Sequence, residues 1–549
     1  MIAGLMALSV RARWAVIFIV AIISGIGVWQ LSKLPIDAVP DITNNQVQIN
    51  TVDPGLSPVE IEKRVTFPVE TALAGIPGLE TTRSVSRNGF SQVTAVFKEN
   101  VDLYFARQQV SERLAQARDD LPEGVQPQIG PVTTGLGEVF MYTVDFANPG
   151  GKGAKAKDGQ PGWQSDGAFL TPEGERLTDD VARAAYLRTV QDWIISPQLR
   201  TVRGVAGVDS IGGFQKQYLV EPDPVKLSAY GVSFSELAKA LEAANLSVGA
   251  NFLERGGEAY LVRADARIRS INEISDAVIA TRGGVPVRVQ DVAAVRIGGE
   301  LRTGAASMNG HEVVVGTALM LIGENSRTVA KAVGEKLQTV EKSLPVGVKV
   351  TPTLDRSKLV NATIATVQRN LFEGAVLVAI ALFFLLGNVR AALIAVLIIP
   401  ISFLMTGIGM NTLGVSGNLM SLGALDFGLI VDGAVIIIEN CLRRLAERQH
   451  LEGRLLNRRE RLEETMLASQ EMIRPTVYGQ GVIFLVFAPL LTFTGVEGKT
   501  FSPMAITLML ALAAAFVLSL TFVPAMVALL IRGKVAEKEG WAIAKIKQR

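Results

Sequence analysis

Apolar residues gather in blocks along this chain. Near-uncharged runs stand at 14–34 and again beyond 370, while 35–365 mixes apolar and polar positions as a soluble chain does. A helix crossing a bilayer takes about 20 mostly apolar residues for a hydrocarbon core ~30 Å thick. The pattern predicts spans at 14–34, 370–387, 391–411, 418–440, 475–493 and 503–531. The first, WAVIFIVAIISGIGVWQLSKL, exceeds a signal-peptide core, and no A-x-A-like site follows, so it is expected to stay as a span.

Basic residues near the span ends set the orientation. Arg11 and Arg13 precede the first span, and Arg390 separates the second from the third. The loop after the fourth holds Arg443, Arg444, Arg448, Arg454, Arg458, Arg459, Arg461 and Arg474, and Arg532 and Lys534 follow the sixth. On the other side, 412–417 has no basic residue and 494–502 only Lys499. Both termini are therefore expected in the cytoplasm, with 35–365 outside it.

That external segment alternates period-2 runs with helical ones. A strand starts at 46 and a helix at Ser57, three residues before Glu60 in a capping-box pattern. Strands near 80–87 and 91–98, a helix over 102–120 and a strand approaching Pro131 complete β-α-β-β-α-β, a split βαβ unit. A looser second unit begins with EVFMYTVDF at 138–146. The Gly-, Lys- and Asp-rich stretch 148–178 is expected to be an exposed loop, its lysines solvated because acids interleave them. Helix 179–198, strand 205–211, a subdomain around 214–298, and strand, helix and strand at 312–322, 326–343 and 347–354 follow. The fold class is an α+β membrane protein: a six-helix bundle with a large external α+β region of ferredoxin-like subdomains.

Composition narrows the function. Of 549 residues, 49% are hydrophobic and 19% charged, against about a quarter charged in soluble domains. A purely soluble enzyme and a disordered chain are excluded. The net charge of +2 offers no field for nucleic acid. One cysteine, Cys441, makes no disulfide or Cys-based zinc site within the chain, and the two histidines, His311 and His450, form no ligand pair in sequence. No GxxxxGK[ST] motif and no nucleophile–base constellation stands out, so neither an enzyme nor a resident cofactor is expected.

The fourth span carries the chemistry. In NLMSLGALDFGLIVDGAVIIIENCLRRL, Asp426, Asp432 and Glu439 interrupt an apolar helix. An acid at a helix centre costs about 2.5–3.5 kcal/mol on insertion scales. At 100° per residue, Asp432 and Glu439 fall about 20° apart and Asp426 about 120° from Asp432, the three spanning roughly 20 Å. Asp432 lies nearest the middle and is expected to be the most desolvated, which favours its protonated form. A mid-membrane acid that loads and releases protons suits a proton-driven transporter; the alternative is a structural acid bonded to a neighbouring helix. Gly423, Gly428, Gly433 and Ala434 permit close helix approach or are ordinary packing positions.

DFGLIVDGAVIIIEN resembles the fourth-span signature of heavy-metal efflux pumps of the resistance-nodulation-division superfamily. LPIDAVPDIT at 34–43, LYFAR at 103–107, TGLGEV at 134–139 and WIISPQLRTVRGV at 193–205 resemble that family too. So does the order of one span, a large loop and five spans. The resemblance implies a homotrimeric inner-membrane proton antiporter working with a periplasmic adaptor and an outer-membrane channel, embedded in membrane lipid. It implies a cytoplasmic start and first span over 1–39 and a first porter subdomain over 40–132. A second porter subdomain would combine 133–213 with 299–357, around a docking subdomain at 214–298. Spans two to six would fill 358–535, before a cytoplasmic tail at 536–549. Asp426, Asp432 and Glu439 match the family's three intramembrane acids. The signature resembles that of the divalent-cation subgroup, which implies zinc, cobalt, cadmium or nickel as cargo. Family members are longer, with a second periplasmic loop and a second set of spans, so this sequence resembles the amino-terminal half.

Any metal site here must rely on carboxylates, because zinc and cobalt favour His, Cys or carboxylate ligands and the external region has few of the first two. Glu138, in TGLGEV, resembles a family position near the substrate path; a solvated strand-edge acid is the plainer reading. Met141, Met308 and Met320 sit in strand-like patterns that suit core packing. Two rivals remain: a six-span relative exporting protein or lipid, and a non-transporting assembly module.

Overall fold

A short helix, α1 (Ile2–Arg11), precedes α2 (Arg13–Lys33), which carries the first apolar run. Trp14 and Trp29 near the two ends of α2 are exposed, and the Lys33 ammonium sits 3.8 Å from the Trp29 ring centroid. Amphipathic rings at both ends of an apolar helix suit the two membrane–water boundaries. This computed structural model describes residues 2–37, 39–265, 267–300, 302, 304–423, 425 and 427–533.

After α2 come β1 (Gln46–Val52), β2 (Leu79–Arg87), β3 (Phe90–Phe97), α3 (Leu103–Gln116) and β4 (Gln128–Ile129). They form a sheet of order β2-β3-β1-β4 with antiparallel neighbours. Ser57 caps the helical stretch 58–73: its hydroxyl accepts from the Glu60 amide, and the Glu60 carboxylate accepts from the Ser57 amide at 3.1 Å. Ile61, Val65, Val69 and Leu73, four residues apart, bury one helical face. Ala106, Val110 and Leu114 bury another, and Val47, Ile49, Val93, Ala95 and Phe97 meet both from the sheet. Each large side chain so buried contributes about 1.5–3 kcal/mol.

A second sheet is built from β5 (Glu138–Phe146), β6 (Val205–Ile211), β9 (Ala306–Met308), β10 (His311–Met320) and β11 (Val348–Asp355), with α4 (Asp180–Val190) and α5 (Ser326–Glu341) on one face. Between them, β7 (Lys216–Pro222) pairs with β8 (Ala293–Gly299) at the neck of an inserted unit. The β9–β10 hairpin turns at Asn309 and Gly310, with φ of 54° and 83°. Positive φ at both central positions is the requirement of the tight turn that Asn-Gly favours.

The 148–178 stretch departs from the sequence expectation. It folds a small sheet of Gly162–Trp163, Phe169–Leu170 and Arg176–Leu177. Trp163, Phe169 and Leu177 are buried, and Phe169 stacks at 4.6 Å from Phe146 of β5 and 5.4 Å from Trp163. Three spaced apolar anchors outweigh the polar composition, since aromatic side chains bury large areas.

The apolar remainder forms α6 (Arg356–Leu386), α7 (Val389–Thr412), α8 (Phe427–Glu452), α9 (Arg458–Glu471), α10 (Ile473–Phe487) and α11 (Gly495–Leu530). Among the described residues, six helices are long and apolar enough to cross a membrane. Three outrun the apolar runs. α6 begins at Arg356, its first turn held by the Asp355 carboxylate accepting from the Ser357 amide at 3.0 Å. α11 begins at Gly495. α8 continues to Glu452 through the ion pairs Arg443–Glu447 (2.7 Å) and Arg448–Glu452 (3.2 Å). Charges at i,i+4 end an apolar run without ending a helix.

α7, α8 and α11 form the centre of this bundle: Ala391, Ile394, Ala395 and Ile398 pack with Ile437, Ile438 and the fully buried Cys441, and with Ala511 and Val523. α2 lies against α7 so closely that a Cβ on Gly27 would come within 2.7 Å of the Leu404 carbonyl oxygen. The loop after α2 ties the apolar helices to the α+β region. The Asp37 amide donates to the Gly417 carbonyl at 2.9 Å, and its carboxylate accepts from Ser326 Oγ of α5 (3.0 Å) and Arg356 Nε of α6 (3.3 Å).

Candidate functional site

Two of the predicted acids are placed by α8. Up to Glu447 its exposed positions are Gly428, Asp432, Ile436, Glu439, Arg443 and Glu447, three or four apart, and they make one stripe along the helix. Its buried positions, among them Ile430, Ala434, Ile437, Ile438, Cys441 and Leu445, face α7 and α11. Asp432 and Glu439 thus share one side, as their spacing requires, and that side looks out of the bundle. Asp432 lies on the surface of this chain, not covered by its neighbouring helices. Depth gives distance from the helix ends; the face of the helix decides burial. Asp426 lies outside the described residues.

Behind Asp432, Gly433 is the point where α8 touches its neighbours. A Cβ there would stand 3.2 Å from Thr476 Cγ2, 3.6 Å from Gln480 Nε2 and 3.7 Å from Ser519 Oγ. Thr476 Oγ1 and Gln480 Oε1 are buried with no hydrogen-bond partner among the described residues. The stripe therefore backs onto a polar seam between α8, α10 and α11. Gly433 is a close-packing glycine, whereas a Cβ on Gly423 would meet nothing within 4 Å.

The far end of α8 is clamped. Asn440, buried beside Glu439, donates to the Ala468 carbonyl (2.8 Å) and Glu471 (3.2 Å), and accepts from Arg443 Nη2 (2.7 Å). Arg444 and Arg448 both pair with the buried Glu464 of α9, at 3.1 and 2.7 Å. Hydrogen bonds from Asn440 and Arg444 hold the Glu471 carboxyl below the ordinary range. Arg443, the cation nearest Glu439 in sequence, is engaged by Asn440 and Glu447.

Glu138 opens β5 as an exposed residue opposite Leu319, where the β5–β10 register slips. Among the described residues, no three His, Cys, Asp or Glu side chains gather into a metal-holding group. Met320 joins the core of the second sheet, while Met141 and Met308 are half-buried. One polar pair escaped the sequence reading. His311 Nε2 lies 2.7 Å from Asp145 Oδ2, and Asp145 Oδ1 accepts from the Phe146 amide at 2.7 Å. The partners are 166 residues apart, and only the β5–β10 pairing brings them together.

Residues 5–549 match the AcrB/AcrD/AcrF family. The chain belongs to this family. It is 69% identical over 549 residues to the nickel-cobalt-cadmium resistance protein NccA of Alcaligenes xylosoxydans xylosoxydans, covering all of this chain and 51% of that protein. It is 50% identical over 541 residues to the cobalt-zinc-cadmium resistance protein CzcA of Cupriavidus metallidurans, covering 98% of this chain and 49% of that one. Among solved structures, a crystal structure of a heavy metal efflux pump superposes with a TM-score of 0.79 at 32% identity, over 96% of this chain and 48% of that chain. The chain spans about half the length of the curated relatives it matches. The heavy-metal resemblance read from the span-four signature agrees with these relatives.

Proposed function

We propose that this chain is the amino-terminal half of a proton-driven divalent-metal efflux transporter whose cargo is nickel, cobalt, cadmium or zinc. The observation that carries the proposal is the stripe of Asp432 and Glu439 on the outward side of an apolar span, in a chain matching half of metal-resistance relatives. Acids inside a span mark ion pathways. A second half laid against the stripe would bury Asp432 and raise the cost of its charge. Asp432 is the principal proton carrier in this reading, with Asp426 and Glu439 assisting. The unpartnered oxygens of Thr476 and Gln480 behind Gly433 are suited to hold water close to it.

The rest of the assembly follows the same reading. The six long helices form a bundle in the bacterial inner membrane, with the large loop in the periplasm. The first porter subdomain (40–132) is a ferredoxin-like split βαβ unit, supported by the order β2-β3-β1-β4. The second combines 133–213 with 299–357, and 214–298 is the docking subdomain. A trimer engages a periplasmic adaptor and an outer-membrane channel. Proton loading reaches the porter units through α6, continuous from Arg356 beside Asp37 into the apolar bundle. Glu138, at the exposed start of β5, is the carboxylate we assign to the metal path.

Metal resistance in a pump-deleted host tests this. The arms are the chain alone, the chain with a matching second half, and that pair carrying Asp432→Asn, under nickel, cobalt, cadmium and zinc. Resistance that needs the second half and vanishes in Asp432→Asn is expected. Resistance unchanged by Asp432→Asn would remove the proton role. No resistance in any arm, with both proteins in the membrane, would leave the assembly-module reading.

A further inference from the structure

The last turn of α11 is held by arginines. Arg532 Nε donates to the Leu529 carbonyl (2.9 Å), Arg461 Nη1 of α9 to the Ile531 carbonyl (3.2 Å), and Arg390 Nη1 at the start of α7 to the Arg532 carbonyl (2.9 Å). Basic side chains at a helix C-terminus complement its partial negative charge. These carbonyls do not neutralise the cluster. Among the described residues, no ion pair reaches Arg390, Arg458, Arg461 or Arg532, whereas nearby Arg444, Arg448 and Arg454 are each paired with two glutamates. Burial, and after it the like charges of Arg532 and Arg458, depress the pKa of Arg461. Arg461 Nε is buried with no hydrogen-bond partner among the described residues.

Four like charges converging with no acid paired to them among the described residues call for an anion. Its chemistry follows from the surroundings. Arg390 and Arg532 mark the ends of two apolar spans, at the level where headgroups meet water. Phe384, Leu385, Val389 and Leu393, around Arg390, are exposed apolar side chains. A ligand with phosphate oxygens at one end and hydrocarbon at the other fits both features, since guanidinium forks match phosphate and basic pockets between spans hold lipid headgroups. We propose that Arg390, Arg458, Arg461 and Arg532 form a binding site for the phosphate of an anionic phospholipid, at the junction of α7, α9 and α11. It rests on the six-span reading and not on the metal or the proton pathway.

The test is native mass spectrometry of the full chain in detergent, titrated with dioleoylphosphatidylglycerol, dioleoylphosphatidylcholine or inorganic phosphate. Phosphatidylglycerol is expected to be retained, and phosphatidylcholine not. Arg390→Gln is expected to weaken retention about fivefold and Arg390→Gln with Arg532→Gln about thirtyfold, the scale expected for basic residues at a membrane surface. Arg454→Gln, from the paired set, should stay within about twofold of wild type on the same scale. Equal retention by the double variant would overturn the proposal. Displacement of the lipid by equimolar inorganic phosphate would overturn the lipid assignment and leave a free-anion site. Should the double variant misfold, Arg390→Lys and the salt dependence of wild-type retention decide. Retained charge should preserve most binding and added salt should weaken it; salt-insensitive retention would refute the site.

Discussion

Asp37 is one place where single residues tie the apolar helices to the α+β region, because Ser326, Arg356 and Gly417 all converge on it. The Arg356–Asp37 pair is mostly shielded, with side-chain exposures of 12% and 25%. Arg356→Gln is therefore expected to cost about 1–3 kcal/mol, between the values for exposed and buried pairs. Thermal unfolding in detergent reads this. Asp37→Asn combined with Arg356→Gln should lose less than the sum of the two, and strict additivity would deny the contact. The motif holding Asp37 was visible in the sequence as LPIDAVPDIT, but its partners 289 and 319 residues away were not. The same holds for His311 and Asp145. Sequence spacing shows which residues share a face, and only the tertiary pairing shows what that face meets.

Among elements, the 148–178 insertion is the clearest correction. Its glycines, lysines and aspartates read as a loop, yet Trp163, Phe169 and Leu177 fasten it to β5 and α4. Phe169→Ala is expected to destabilise this unit by about 3–5 kcal/mol, as for other buried aromatics, and to open 148–178 to limited proteolysis. Protection equal to wild type would mean the anchor is idle. α9 makes a second case. Asn457 caps it in a box with Glu460, and hydrogen bonds from Arg454 and the Asn457 amide pull the Glu460 carboxyl down to about 2. A folded pKa below the unfolded value stabilises above the unfolded one, here near 4.5, and that contribution fades as pH falls toward about 2. Amide exchange at the start of α9 should thus be unchanged between neutral pH and about pH 5, after correction for intrinsic rates, and lose protection below that. In Glu460→Gln the acid-dependent loss should be absent. The first sheet and the apolar spans were legible because period and run length carry them. The true starts of α6 and α11 were not, since polar helical turns leave no mark in an apolar count.

At the scale of the whole molecule, the two sides of α8 differ: one is packed into the bundle, the other presents Asp432, Ile436 and Glu439 outward. The second half in the proposed function would lie on the outward side. The asymmetry also gives the molecule an unplanned experimental convenience. Its lone thiol, Cys441, is fully buried, out of reach of a reagent. The native protein should therefore resist a maleimide dye, while Ile436→Cys should take up one dye per chain when expressed alone and be shielded when a second half is present. Equal labelling in both states would argue that nothing covers the stripe. Because no native cysteine has to be removed first, a nitroxide or fluorophore at such a position would report from an otherwise silent background, and the chain becomes its own spectroscopic ruler.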